Sequence, residues 1–68
     1  MIKIHDSTGR VILLNPAAIE SIREAGPSSS QTRSYIRTIT GEAVMCVERV
    51  DTIENMIAMD QHKENRHA

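Results

Sequence analysis

His62 and His67 lie close in sequence to Asp60 and Glu64, and imidazole and carboxylate groups both bind metal ions. A closed metal site needs about four ligands held in place. This polar C-terminal stretch has no apolar anchor to hold them, so a solvated tail is expected and no metal site is assigned. His5 follows Ile4 in an alternating stretch and is expected to face solvent. Cys46 stands between Met45 and Val47. A cysteine becomes a nucleophile only beside a basic partner in an electropositive pocket; in an apolar strand it acts as a small buried hydrophobe. Ser28, Ser29 and Ser30 have no His and Asp near them in sequence, and loop composition accounts for them. Gly9, Gly26 and Gly41 are too dispersed for a phosphate-cradling or dinucleotide-binding loop, and each reads as a turn glycine. No catalytic residue, cofactor or small-molecule substrate follows from these residues. The chain reads as non-enzymatic.

One constellation points to binding. Arg33 and Arg37 are four apart with Tyr35 between them, and in an extended strand all three share a face. Two arginines flanking an aromatic ring can grip phosphate or stack on a base. The plainer alternative is a solvent-facing stripe paired with Glu on a neighbouring strand, and on sequence alone it is the better supported. Arg33, Tyr35 and Arg37 are therefore the candidate interaction surface.

Short strands must position these residues. Ile2 to His5 alternate apolar and polar, the period of a half-buried strand. Asp6-Ser7-Thr8-Gly9 is a turn cluster, and Val11 to Leu14 form an apolar run, so the two segments read as a hairpin. Asn15-Pro16 ends the second strand, and Pro16 to Ile19 suits a short 3₁₀ turn. Ile19 and Ile22 are three apart, a spacing that also fits a helix. The third strand is set from Ile22 onward, with the turn absorbing Ile19. Gly26-Pro27-Ser28-Ser29-Ser30 is a loop. Thr32 to Thr40 and Ala43 to Glu48 form a second hairpin about Gly41. Then the period lengthens. Val50, Ile53, Met56 and Ile57 share one face of a helix of about two to three turns, with Asp51 and Glu54 as a variant capping box.

The fold expected is α+β, mainly β: a small antiparallel sheet of about five short strands in two hairpins, with one C-terminal helix. Residues 1–59 form the domain and 60–68 a flexible polar tail. Its core is expected to draw on Tyr35 or Ile36, Ile39, Val44, Met45 or Val47, Ile53, Met56 and Ile57.

The composition bounds the partners. The 68 residues contain nine Ile, four Val, two Leu and four Met, but one aromatic residue, Tyr35. Large rings usually supply much of a small core, so a lone copy would be marginal. Strands at Val11–Leu14 and Ala43–Val47 are apolar on both faces, and one short helix covers only one of them. A homo-oligomer, most simply a dimer, or a protein partner is expected. Eight basic and nine acidic residues give a net charge of −1, which disfavours nucleic acid and anionic membranes. No apolar stretch is long enough to span a bilayer or to form a signal peptide. The single Cys46 suits a reducing compartment, and a cytoplasmic location is expected.

Met1-Ile2-Lys3-Ile4, Gly9, Leu14-Asn15-Pro16, Ile19-Glu20 and Ile22 resemble the small FlbD-type flagellar protein family, which includes the swarming protein SwrD. Gly41, Val50-Asp51, Ile53 and Ile57 resemble its second half, so the similarity covers about residues 1–57. Ile12-Leu13 replaces an aromatic usual before the Leu-Asn-Pro. An insertion near Gly26 to Gln31 replaces a short acidic turn, and Arg49 stands where a Ser cap is usual. The resemblance implies a role in bacterial flagellar motility through protein–protein contact. Two alternatives stand beside it. Ile19 to Ile22, Tyr35-Ile36-Arg37, Gly41 and the Val50–Ile57 stripe also look like the first half of a LytTR-type DNA-binding domain, whose basic C-terminal strand and loop have no counterpart here. A phage or mobile-element protein on the same scaffold is the other.

Overall fold

The computed structural model of the protein describes residues 1–26 and 31–65, with side chains through Gln61. Five antiparallel strands and one helix are present, as expected, and the strands divide into two sheets. β1 (Ile2–His5) pairs with β2 (Val11–Leu14) in a hairpin, Ile2 opposite Leu14 and His5 opposite Val11. β3 (Ile19–Glu24), β4 (Ser34–Thr38) and β5 (Ala43–Cys46) form a second sheet in that order. Among the described residues the outer sides of β2 and β3 carry no neighbouring strand, and β1 and β5 meet only at the Asp6–Cys46 bridge.

Both hairpin turns are built alike. The N–H of Asp6 donates to Arg10 O at 2.9 Å, and the N–H of Gly9 donates to Asp6 O at 3.0 Å. In the second turn the N–H of Thr38 donates to Glu42 O and that of Gly41 to Thr38 O, each at 2.9 Å. Gly9 and Gly41 sit at φ +91° and +92°. A three-residue loop closed by a left-handed residue is a favoured hairpin geometry, and that backbone costs a residue with a Cβ about 1–2 kcal/mol.

Between the sheets, Asn15 and Pro16 turn the chain. The Asn15 side chain accepts from the N–H of Ala17 at 3.0 Å and caps one 3₁₀ turn, Pro16–Ala18. β3 then begins at Ile19, not at Ile22. Ile19 faces Thr38 and Ser21 faces Arg37, leaving Glu20 as the extra residue of a bulge. A bulge adds one residue to one strand, so Ile19 and Ile22 both turn inward although three apart, and both pack on the core.

The helix, α1 (Val50–Asn65), packs against β1 and β3. It is longer than the two to three turns expected. The segment read as a tail from residue 60 is helical through Asn65. Asp60 is partly buried and receives a 2.7 Å bond from the Met1 amino group. Asp51 is not the cap. The N–H of Ile53 donates to Arg49 O at 3.0 Å, so the helix opens on Arg49, and Asp51 Oδ1 accepts from the N–H of Thr52 at 2.9 Å. The carboxylate therefore serves a donor of the first turn from inside the helix. Residues 27–30 of the expected loop, with Ser28, Ser29 and Ser30, lie outside the described residues, as do His67 and the side chains of His62 and Glu64.

Ile2 and Ile4 from β1, Ile36 from β4, Cys46 from β5 and Ile53 from α1 are buried in one cluster. Ile12, Leu14, Ile19, Ile22, Val44, Met56 and Ile57 pack around it. Aliphatic chains from both sheets and the helix thus converge on one centre. Two expectations fail here. Ile39 lies in the second turn, 65% exposed, and of the alternatives Met45 and Val47, Met45 points to the outer face of β5 at 51% while Val47 is half-buried outside the core cluster. Ile36, not Tyr35, is the inward member of β4. Ile53 has no exposed surface, so Ile53→Ala is expected to lose about 2–5 kcal/mol. Ile39→Ala is expected to melt close to wild type. Thermal unfolding followed by circular dichroism separates the two.

Candidate functional site

Cross-strand register sets the outer face of the three-stranded sheet. Tyr35 on β4 stands between Arg23 on β3 and Met45 on β5. Arg37, two residues along, stands between Ser21 and Ala43. Alternation turns Ser34, Ile36 and Thr38 inward and leaves Arg37 exposed and Tyr35 half-exposed. An open groove of about 430 Å³ runs over this face, lined by Glu20, Ser21, Arg23, Tyr35, Arg37 and Ala43. The bulge carries Glu20 to the same groove, one residue from Ser21.

Two of the three residues expected from sequence, Tyr35 and Arg37, meet in this groove. Arg33 does not line it. It precedes β4, where its N–H donates to Cys46 O at 2.8 Å and its carbonyl accepts from Ala25 at 3.0 Å. Arg23 takes its place. Sequence gave no sign of that, because a long connection between β3 and β4 leaves their register open, and only register puts Arg23 opposite Tyr35. The expected pairing of this stripe with Glu is also absent. Neither Arg23 nor Arg37 forms an ion pair among the described residues.

A second cluster joins the two sheets. The His5 N–H donates to Glu48 Oε1 at 2.9 Å, and its ring Nδ1 lies 2.7 Å from Glu48 Oε2. His5 is thus a partner of the chain just before the helix, and not the simple solvent-facing residue its alternation suggested. The N–H of Val47 donates to His5 O at 3.0 Å, Asp6 bridges to Cys46, and Ser34 Oγ donates to Glu48 O at 2.8 Å. Burial acts to raise the Glu48 carboxyl. The bonds from the His5 ring and backbone outweigh it and hold the group below the usual glutamate range. Asp6 is also held low, by the Thr8 hydroxyl and the Arg10 N–H.

Cys46 has no exposed surface, and burial pushes its thiol up to about 11. It stays protonated near neutral pH, and a thiol is a poor nucleophile beside a thiolate. Among the described residues no three His, Cys, Asp or Glu side chains gather closely enough to hold a metal ion. Among them too, no helix is long and apolar enough to cross a membrane. Compared with known proteins, the chain matches no family model, no curated protein and no solved structure.

The Glu48 junction has a pH signature. Its folded carboxyl titrates below the ordinary 4.5, so its contribution is complete above that pH and is lost as pH falls through the folded value. Wild type is expected to lose melting temperature on acidification below that point. Glu48→Gln should melt lower than wild type near neutral pH and show a smaller acid-induced drop, the remainder tracking Asp6. Equal slopes for the two proteins would remove Glu48 from the linkage.

Proposed function

We propose that the protein is a non-enzymatic interaction module of the bacterial cytoplasm. Its outer sheet face receives a protein partner, and its biological setting is flagellar motility. The observation that carries the docking reading is the Arg23–Tyr35–Arg37 groove. It combines exposed charge with no ion-pair partner among the described residues, a half-exposed aromatic ring and an open concave shape. Aromatic and arginine side chains are the residues most enriched where protein surfaces bind strongly. The flagellar setting rests on the resemblance carried by Leu14-Asn15-Pro16, Ile19-Glu20 and Ile22, and the cytoplasmic one on the single, buried Cys46. The net charge of −1 argues for a protein partner over DNA. A deletion of the gene is expected to reduce spreading in soft agar, with the wild-type gene restoring it. A gene carrying Arg23→Ala and Arg37→Ala should fail to restore it while its product accumulates normally. Unchanged spreading after deletion would sink the motility assignment.

Self-association is the second part of the reading. The inner residues Ile12 and Leu14 of β2 pack on the core, while Val11 and Leu13 on its outer face are 52% and 64% exposed. Together with Met45 they give the single chain more apolar surface than its core uses, which favours a homodimer. Sedimentation at micromolar concentration is expected to show a species of twice the 7.6 kDa chain mass. A folded monomer there would assign these residues to a different partner.

A further inference from the structure

Resting on the reading of the sheet face as a docking surface, we infer that the groove takes an acidic segment of the partner. A carboxylate side chain seats between Arg23 and Arg37, with its stem against the Tyr35 ring. The register supplies the geometry. Arg23 faces Tyr35 and Ser21 faces Arg37, which makes the two arginines diagonal neighbours on one face, with backbones about 7–8 Å apart. Like charges at that separation repel. Neither finds a carboxylate within ion-pair distance among the described residues. An anion entering between them removes the repulsion and gains hydrogen bonds from two planar guanidinium forks, whose geometry matches a carboxylate.

Two features select a short acidic peptide over a nucleic-acid strand. Glu20 stands in the groove beside Ser21, where it opposes a backbone that carries a charge at every nucleotide. An acidic peptide carries its charges on flexible side chains instead, so one carboxylate can enter between the arginines while the others turn away from Glu20. Tyr35 is also the sole aromatic of the sequence, so successive bases would find one stacking platform and no second.

The test is an amide NMR titration of the full chain with three probes: hexaglutamate, hexaglutamine and a short oligo-dT. Hexaglutamate is expected to shift the amides of Ser21, Arg23, Tyr35 and Arg37 in a saturable way, and hexaglutamine is not. Combined Arg23→Gln and Arg37→Gln should weaken the response about fivefold to tenfold, the effect of losing two exposed ion pairs. Their unchanged spectra elsewhere would report an intact fold. Glu20→Gln should strengthen it. Absence of saturable shifts with hexaglutamate, or equal binding by the double variant, overturns the inference. Tighter binding of oligo-dT overturns it in favour of a nucleic-acid face. A photo-crosslinking residue placed at Tyr35 keeps the two readings apart. A specific adduct in cells with a partner that lacks an acidic segment would defeat this inference and leave the docking surface standing.

Discussion

The fold hangs on the seam at His5 and Glu48. A two-stranded hairpin is marginal in water by itself, and β1–β2 has no strand beside it except at the Asp6–Cys46 bridge. The Glu48 carboxylate holds the end of β1 through both the backbone and the ring of His5. Ser34 Oγ holds the Glu48 carbonyl in turn. One residue later, Arg49 opens the helix. Hairpin, sheet and helix therefore meet within a few residues. Cys46 lies beneath that point, where burial and the nearby carboxylates keep its sulfur neutral.

The seam matters because the core is aliphatic and thin. Its five buried apolar members come from β1, β4, β5 and α1, so no single element holds a self-sufficient apolar face. Ile2 and Ile4 reach the helix only if the hairpin is fixed to the second sheet. The buried polar side chains of Ser34 and Thr38 are both satisfied. Ser34 bonds to Glu48, and the Thr38 hydroxyl accepts from the N–H of Glu42 at 3.2 Å inside the second turn. Hydrogen bonds at the two ends of β4 thus complete what the small core begins.

Much of the fold was legible because its signals are local. Asp6 to Gly9 is a turn sequence whose residues need no distant partner to act, and Gly41 marked the second turn, although that turn opens at Thr38, inside the span read as strand. The helix stripe at Ile53, Met56 and Ile57 was legible for the same reason. What failed depends on distant neighbours. The Glu20 bulge is settled by pairing with β4, so Ile19 and Ile22 looked ambiguous in isolation. The helix continued past Met59, where the apolar stripe ends but the backbone still gains a bond per residue. The site was half legible: Tyr35 and Arg37 follow from alternation within one strand, while Arg23 follows only from register.

The outer edges of β2 and β3 are chemically unequal. β3 presents Glu20, Arg23 and Glu24 along a bulged strand, and charge and irregularity are what keep strands from recruiting others. β2 reads Val-Ile-Leu-Leu, with neither charge nor proline inside it. A polymer needs two compatible ends on every subunit, because head-to-tail contacts that do not close into a ring grow without limit. Of these two edges β2 is permissive and β3 is not. Two copies that join through β2 consume that edge of each, and growth from β2 onto β3 has no next step.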